Sequence, residues 1–459
     1  MAERKLKLNF DEILKVLNLK GARVHFVGVG GVSMYSLARL AMNLGASVSG
    51  SDRVMSGRTK ELSLRGAKIF IGHDGSNAKG AELVVHTHAV GATNPELSFA
   101  ESNGIPIISR AELLGALMLS YNIRIGVSGT HGKSTTTSML DAIFCAANSE
   151  PTTLSGAVLQ NGSTIRIGRD DFLIYEACEY RDSFLSFLPS VAIALNMELD
   201  HTDYFPDILA MRDSYIMALN KASKFALVNY DDENIYEIIP SLKTQVITFG
   251  QSERADWRYL ITGFLKSGME ITLYRFGSLK LKFVLNVHGV HNAANAAAAA
   301  IVAMELGVAE ETVAKAMGNF KGVPGRLELV GDHQGRAVYL DYAHHPSEII
   351  AGINTLKLIT GEPITVVFKP HTFSRTASLW ADFSAALSLA DYIVLTDIYP
   401  AREEPIPGVT SERLAEDIGE RAVFAKDDEV PDIIDFYTSG AIVIMGAGDT
   451  ENIKNQLIM

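Results

Sequence analysis

Residues 123–139 read IRIGVSGTHGKSTTTSM, and they narrow the possible folds more than any other stretch of the chain. A short β-rich run turns through Gly129, Thr130, His131 and Gly132, then enters a segment opening at Lys133 and Ser134 in which Met139, Leu140 and Ile143 recur at helical spacing. That pattern predicts strand, loop, helix. Two glycines let the backbone bend so that several N–H groups and the positive end of the helix converge on a phosphate. The lysine ammonium reaches the outer phosphate oxygens, and the Ser134 hydroxyl, with Thr135 beside it, stands where a Mg²⁺ ligand is needed. The spacing departs from GxxxxGK[ST], because Val127 stands five before Gly132 and the nearest upstream glycine is Gly126.

A second strand-and-glycine turn lies near the start. The run VHFVGV ends in Gly28, Gly30 and Gly31, after which Leu37, Leu40, Ala41 and Leu44 keep helical spacing, and a second short strand, ASVSGSD, ends at Asp52. This is the order of the dinucleotide fingerprint, with Ser33 where its third glycine would fall. Taken alone it suggests NAD and an oxidoreductase. Its physics requires only a nucleotide phosphate near a helix N-terminus. The runs AKIFIG, ELVVHTHAV and IPIISR continue the alternation of a parallel sheet, and the helical segment 111–121 leads to a boundary at residue 122.

Beyond the loop, DDFLIYEACEYRDSF puts Glu176 at the end of a buried strand with Glu179 and Asp182 after it, and VAIALN ends at Asn196 before MELDHTDYF. Two strands thus deliver acids and a histidine to the edge where the phosphate loop sits. Mg²⁺ takes oxygen ligands, so Glu176 and Ser134 suit it, and His201 is the poorer ligand type. The span 224–285 alternates β-rich runs with polar turns. An alanine-rich helix then starts near His291, opening with Asn292 and Asn295, whose amides can read an adenine edge. Pro324 and Gly325 mark a second boundary near 325, beside Arg326, a candidate clamp for ATP phosphates. The remainder predicts another small parallel α/β unit, with Asp341 at a strand end facing an ATP ribose or phosphate. The expected fold is α/β in three domains: a Rossmann-like domain over 1–122, a P-loop-type ATP-binding domain over 123–325, and a Rossmann-like domain over 326–459.

At 459 residues the chain exceeds one core of ordinary size, in keeping with that division. A net charge of −12 argues against a nucleic-acid partner, while leaving room for a basic phosphate pocket. Two cysteines are too few for a disulfide framework. The N-terminus lacks a continuous apolar run, and the longest small-apolar region, 296–304, falls short of the roughly 20 residues of a membrane span. The expectation is a cytoplasmic protein with no membrane insertion.

The string Gly-Thr-His-Gly-Lys-Ser-Thr at 129–135 resembles the nucleotide loop of the Mur ligases, the ATP-dependent amide-forming enzymes of peptidoglycan synthesis. Four further stretches in family order extend the resemblance from residue 24 to residue 449: GVGGVS at 28–33, the D-H pair at 200–201, HNAANA at 291–296, and FKPHTFSRT at 368–376 with DIYPAREEPIPG beyond. The resemblance implies that ATP, with Mg²⁺, activates the lactyl carboxylate of UDP-N-acetylmuramate as an acyl phosphate, and that the amine of L-alanine displaces phosphate. It implies a UDP-sugar site built from Gly28, Gly30, Gly31, Ser33, Asp52, His73, Thr87 and His88. Lys133 would be catalytic. Ser134, Glu176 and His201 would hold the metal, Glu179 being the alternative to Glu176, and Asp200 and Asp203 would be solvated or supporting acids. Asn292 would read the adenine, Arg326 and Asp341 would contact ATP, and His371 with Arg375 would hold the amino-acid carboxylate. Members that add later residues carry a carbamylated lysine soon after the D-H pair; no lysine lies between His201 and Asn220 here, as expected for an enzyme adding the first residue. Three rivals stand beside this reading: a recycling ligase attaching a whole tripeptide to the same sugar, a nicotinamide oxidoreductase, and a noncatalytic UDP-sugar sensor.

Overall fold

A computed structural model describes residues 8–18, 20–87, 89–91, 93–201, 204–265, 267–401 and 403–458. His88, Asp203 and Arg402 lie outside the described residues. The described residues divide into two compact units. One takes in the chain up to Met197 with 209–249 and 298–312; the other takes in 198–208, 250–297 and 313 onward.

The first unit begins with a parallel sheet in the order Lys68–Ile71, Ser47–Asp52, Arg23–Val27, Leu83–His86, Ile107–Ser109. Every residue of its central strand after Arg23 is buried, as a strand covered on both faces must be. Gly28 turns the chain at φ 82°, and the helix Val32–Asn43 starts from Gly31 with no side chain capping it. A second sheet runs in the order Val246–Gly250, Phe225–Asn229, Val191–Ala194, Ile123–Ser128, Phe172–Glu176, Thr152–Leu154, Ile165–Arg166. All its neighbours here are parallel save the last pair. The helix Lys133–Ala146 leaves the end of Ile123–Ser128, so the loop 129–132 sits at the carboxyl edge of the strands.

In the second unit, strands Trp257–Leu265, Gly268–Arg275 and Ser278–Leu285 form an antiparallel meander. The alanine-rich helix Val290–Glu305 counts with this unit up to Ala297 and with the first unit from Ala298 on; Ala293 and each alanine of 296–300 are fully buried, which is why small side chains are needed there. The last sheet runs Glu328–His333, Arg336–Asp341, Ala441–Met445, Ile364–Phe368, Tyr392–Leu395, Ala422–Phe424. One apolar cluster around Phe368, Phe383 and Val443 and another around Val367, Ile434 and Ile444 pack against it. The sequence predicts a small parallel α/β unit, which this is but for one strand pair. Strands Glu328–His333 and Arg336–Asp341 pair antiparallel, because Gln334 (φ 52°) and Gly335 (φ 84°) join them through a tight turn with both residues left-handed.

Candidate active site

The loop 129–132 is shaped by its neighbours. Gly129 adopts φ 145°, and a Cβ there would come within 3.0 Å of Leu195 Cβ and 3.1 Å of the His131 carbonyl. Gly132 is left-handed, at φ 82° and ψ −6°, and precedes the helix without capping it, leaving the first-turn amides to the loop. Asn196 clamps the loop from the adjacent strand: its Oδ1 accepts from the His131 amide at 2.8 Å, and its Nδ2 donates to the His131 carbonyl at 3.1 Å. Sequence reasoning placed Asn196 only as a strand end. The bend, the free helix start and the lysine together form a cradle of the kind a nucleotide phosphate requires.

Lys133 opens the helix and folds back over the loop, donating to the Gly129 carbonyl at 2.5 Å, the Thr130 carbonyl at 3.2 Å and the Glu179 carboxylate at 3.2 Å. Burial works against its charge, yet the surrounding Glu179, Cys178 and Glu176 hold its pKa above the ordinary lysine value. Ser134 and Thr135 are buried on the same first turn. Glu176, at the end of its strand, accepts from the Gly156 amide at 2.5 Å and from Ser155 Oγ at 3.2 Å. Its carboxylate and the Ser134 hydroxyl are oxygen donors fitting Mg²⁺, whereas Glu179 is 1% exposed and committed to Lys133.

At the first sheet, Asp52 Oδ2 accepts from the Gly30 amide at 2.8 Å, and a Cβ on Gly30 would meet that oxygen at 2.8 Å. Gly31 and Ser33 are exposed at the helix start. A Cβ on Gly28 would touch Thr87 Cγ2 at 3.0 Å, so the turns after the two strands are in contact. His73 follows the neighbouring strand Lys68–Ile71, and its Nδ1 lies 3.0 Å from Glu96 Oε2. Glu96 is fully buried and also receives Ser51 Oγ at 2.6 Å and Asn77 Nδ2 at 2.7 Å. Burial pushes its pKa up, but the His25 ring 3.7 Å away and hydrogen bonds from Ser51, Asn77 and His73 outweigh that and bring it to about 2. Glu96 escaped the sequence reading because Asn94-Pro95-Glu96 reads as an ordinary helix opening, where an acid faces solvent.

The second unit gathers His201, Asp200, Arg375 and His371. Asp200 is buried, not solvated; its Oδ1 accepts from Arg375 at 3.1 Å and from the His201 amide at 2.7 Å. Burial favours its neutral form, but His201, Arg375 and His344 keep its pKa well below the usual carboxylate range. His201 sits at φ 56°, in the left-handed region. Arg375 also reaches His371 Nδ1 at 3.1 Å, while its buried Nε has no partner among the described residues. His371 stacks on Tyr399 with ring centroids 5.6 Å apart, and burial, Arg375 and His344 lower its pKa to about 4. It is therefore neutral at pH near 7. Arg326 lies 4.8 Å over the Tyr342 ring. Asp341 is buried at its strand end, and desolvation, assisted by Glu348 and opposed by Arg326, raises its pKa to about 7. Asn292 donates to the His288 carbonyl at 2.7 Å and accepts from Asn295 at 3.2 Å.

Parallel α/β sheets, one of them carrying a lysine-tipped glycine loop at the carboxyl edge of its strands, define an architecture suited to a nucleotide-using enzyme. The chain belongs to the Mur ligase family: the descriptions "Mur ligase family, catalytic domain", "Mur ligase middle domain" and "Mur ligase, glutamate ligase domain" match residues 23–122, 127–303 and 325–448. It is 42% identical over 393 residues to the UDP-N-acetylmuramate–L-alanine ligase of Caldicellulosiruptor bescii, covering 85% of this chain and 86% of that one. To the protein of the same name from Clostridium novyi it is 39% identical over 446 residues, covering 95% and 97%. The crystal structure of the UDP-N-acetylmuramate-alanine ligase MurC from Thermotoga maritima matches with a TM-score of 0.80 at 26% identity, covering 95% of this chain and 98% of that one.

Proposed function

We propose that this chain is an ATP-dependent ligase joining L-alanine to the lactyl carboxylate of UDP-N-acetylmuramate. The observation that carries this is the near-full-length likeness, at about 40% identity, to proteins named for that reaction. The tripeptide-recycling ligase, the oxidoreductase and the noncatalytic sensor have no comparable support, and a nicotinamide enzyme has no use for the second nucleotide loop at 129–135.

In this reading 1–122 binds the UDP-sugar, 123–325 binds ATP and 326–459 binds the amino acid. The turn Gly28, Gly30, Gly31 and Ser33 faces the diphosphate, with Asp52, His73 and Thr87 completing the UDP site. Gly129, Thr130, His131, Gly132 and Thr135 surround the ATP phosphates, Asn292 reads the adenine, and Arg326 and Asp341 complete that site. A carboxylate is a poor acyl donor, so the γ-phosphoryl group is transferred to it first, and the alanine amine then displaces phosphate. Lys133 supplies fixed positive charge where negative charge develops on the transferring group, so its contribution is electrostatic and positional. Ser134, Glu176 and His201 would hold Mg²⁺, which when bound neutralises phosphate charge. Arg375 and the neutral His371 orient the amino-acid carboxylate and leave its amine free. The reaction partners are soluble metabolites, in keeping with a cytoplasmic enzyme, and among the described residues no helix is long and apolar enough to cross a membrane.

The test is phosphate release from ATP with UDP-N-acetylmuramate and a panel of amino acids and tripeptide. Release that depends on L-alanine, and ceases when a chelator removes divalent metal, is expected; release with tripeptide alone, or none, overturns the reading.

A further inference from the structure

Resting on the UDP-sugar reading above, we propose that Glu96 fixes the tautomer of His73 so that a bare Nε2 accepts the N3–H of uracil, making Glu96 a positioning residue for base selection. The topology places His73 at the base. The glycine turn follows the central strand Arg23–Val27, Asp52 ends the next strand outward, and His73 follows the strand beyond that. Diphosphate, ribose and base are therefore met in that order along the carboxyl edge.

The hydrogen bonds assign the proton. Glu96 is fully buried and ionised, so its oxygens only accept. Ser51 has one hydroxyl proton, and at 2.6 Å it goes to Glu96 Oε2. At His73, 3.2 Å away, the same Ser51 oxygen can then act only as an acceptor. His73 Nδ1 thus faces two acceptors, Ser51 Oγ and Glu96 Oε2, and must carry a hydrogen. In neutral imidazole Nε2 is then a bare acceptor, and among the described residues it has no partner. The His73 side chain is 20% exposed, so part of it remains open to a ligand. Uracil presents a donor at N3 and cytosine an acceptor there, so an acceptor on the protein favours uridine and opposes cytidine nucleotides.

The full-length chain, well above the imidazole titration range, is titrated calorimetrically with UDP and with CDP, and the His73 ring nitrogens are assigned by long-range ¹H–¹⁵N correlation. UDP is expected to bind tighter than CDP by on the order of tenfold to a hundredfold, the scale of one satisfied against one opposed hydrogen bond. Glu96→Gln reverses the arrangement: Asn77 requires the amide oxygen at its own site, which turns the amide nitrogen toward His73. The proton is then expected on Nε2, and the UDP preference is lost or turns toward CDP, whose N3 accepts. His73→Phe, at a partly exposed position, should remove the preference while diphosphate binding persists. An Nε2–H tautomer in the unsubstituted chain overturns the proposal without any variant, as does equal affinity for UDP and CDP or a preference that neither substitution alters. UDP binding with an Nε2–H tautomer leaves the UDP-sugar reading standing; failure to bind UDP with the Nδ1–H tautomer present sinks that reading and the proposal with it.

Discussion

The Lys133 ammonium lies 3.2 Å from the Glu179 carboxylate, which is only 1% exposed and belongs to the same compact unit. In the proposed reading Lys133 has two duties, a structural one toward Glu179 and a chemical one toward a phosphate. Substituting Lys133→Ala is expected to lower phosphate release by on the order of 10²–10³-fold. It should also cost about 3 kcal/mol of stability by stranding a buried charge. The double substitution Lys133→Ala with Glu179→Gln separates the duties. Denaturant melts should recover most of the stability while turnover stays lost.

Arg375 and Asp200 form the corresponding pair in the second unit, 3.1 Å apart. Asp200 is held below its unfolded pKa of about 3.9, so its ionic contribution is fully present above that value and is lost as the pH falls through the lower folded pKa. Arg375→Ala should thus destabilise the protein near neutrality, and the deficit should shrink as the solution is taken below about pH 4. In kinetic assays the same variant should raise the KM for L-alanine roughly tenfold or more, the scale of a lost charged hydrogen bond.

Asp341 behaves in the opposite sense. Its folded pKa, about 7, lies above the unfolded value of about 3.9, so between them the folded chain holds a proton that the unfolded chain lacks. Stability should fall as the pH rises across that window and level off beyond it, by up to about 4 kcal/mol. Asp341→Asn should flatten this dependence in denaturant titrations at several pH values and be the more stable form above neutrality.

Gly126 packs against the hydroxyl of Tyr175, and a Cβ added there would come within 2.6 Å of that oxygen. Tyr175 is buried and rigidly packed edge-on against Phe187, at 84°. Gly126→Ala should cost about 1–3 kcal/mol in thermal or denaturant unfolding. If it does not, the strand tolerates a side chain there and the packing account fails.

Much of the fold was legible because glycine turns and strand runs are local signals. Gly28, Gly30, Gly129 and Gly132 announce strand–loop–helix junctions from a few residues each. The antiparallel pair about Gln334 and Gly335 was not legible, since the parallel expectation came from the alternation around it and the turn passed for a loop. Among candidate site residues, Lys133 and Glu176 draw notice by position alone. Glu96 and Asp200 do not, because what makes them matter is burial beside partners distant in sequence: Ser51 and His73 for one, Arg375 for the other. A carboxylate's surroundings are a tertiary property.

The amide of Asn196 closes a small ring with the main chain of His131, donating on one side and accepting on the other, much as a neighbouring strand would. If this loop receives a triphosphate as proposed, its curve is set when the chain folds rather than when ATP arrives. The entropy of ordering that segment has been lost already, and the free energy of nucleotide contact remains available for affinity.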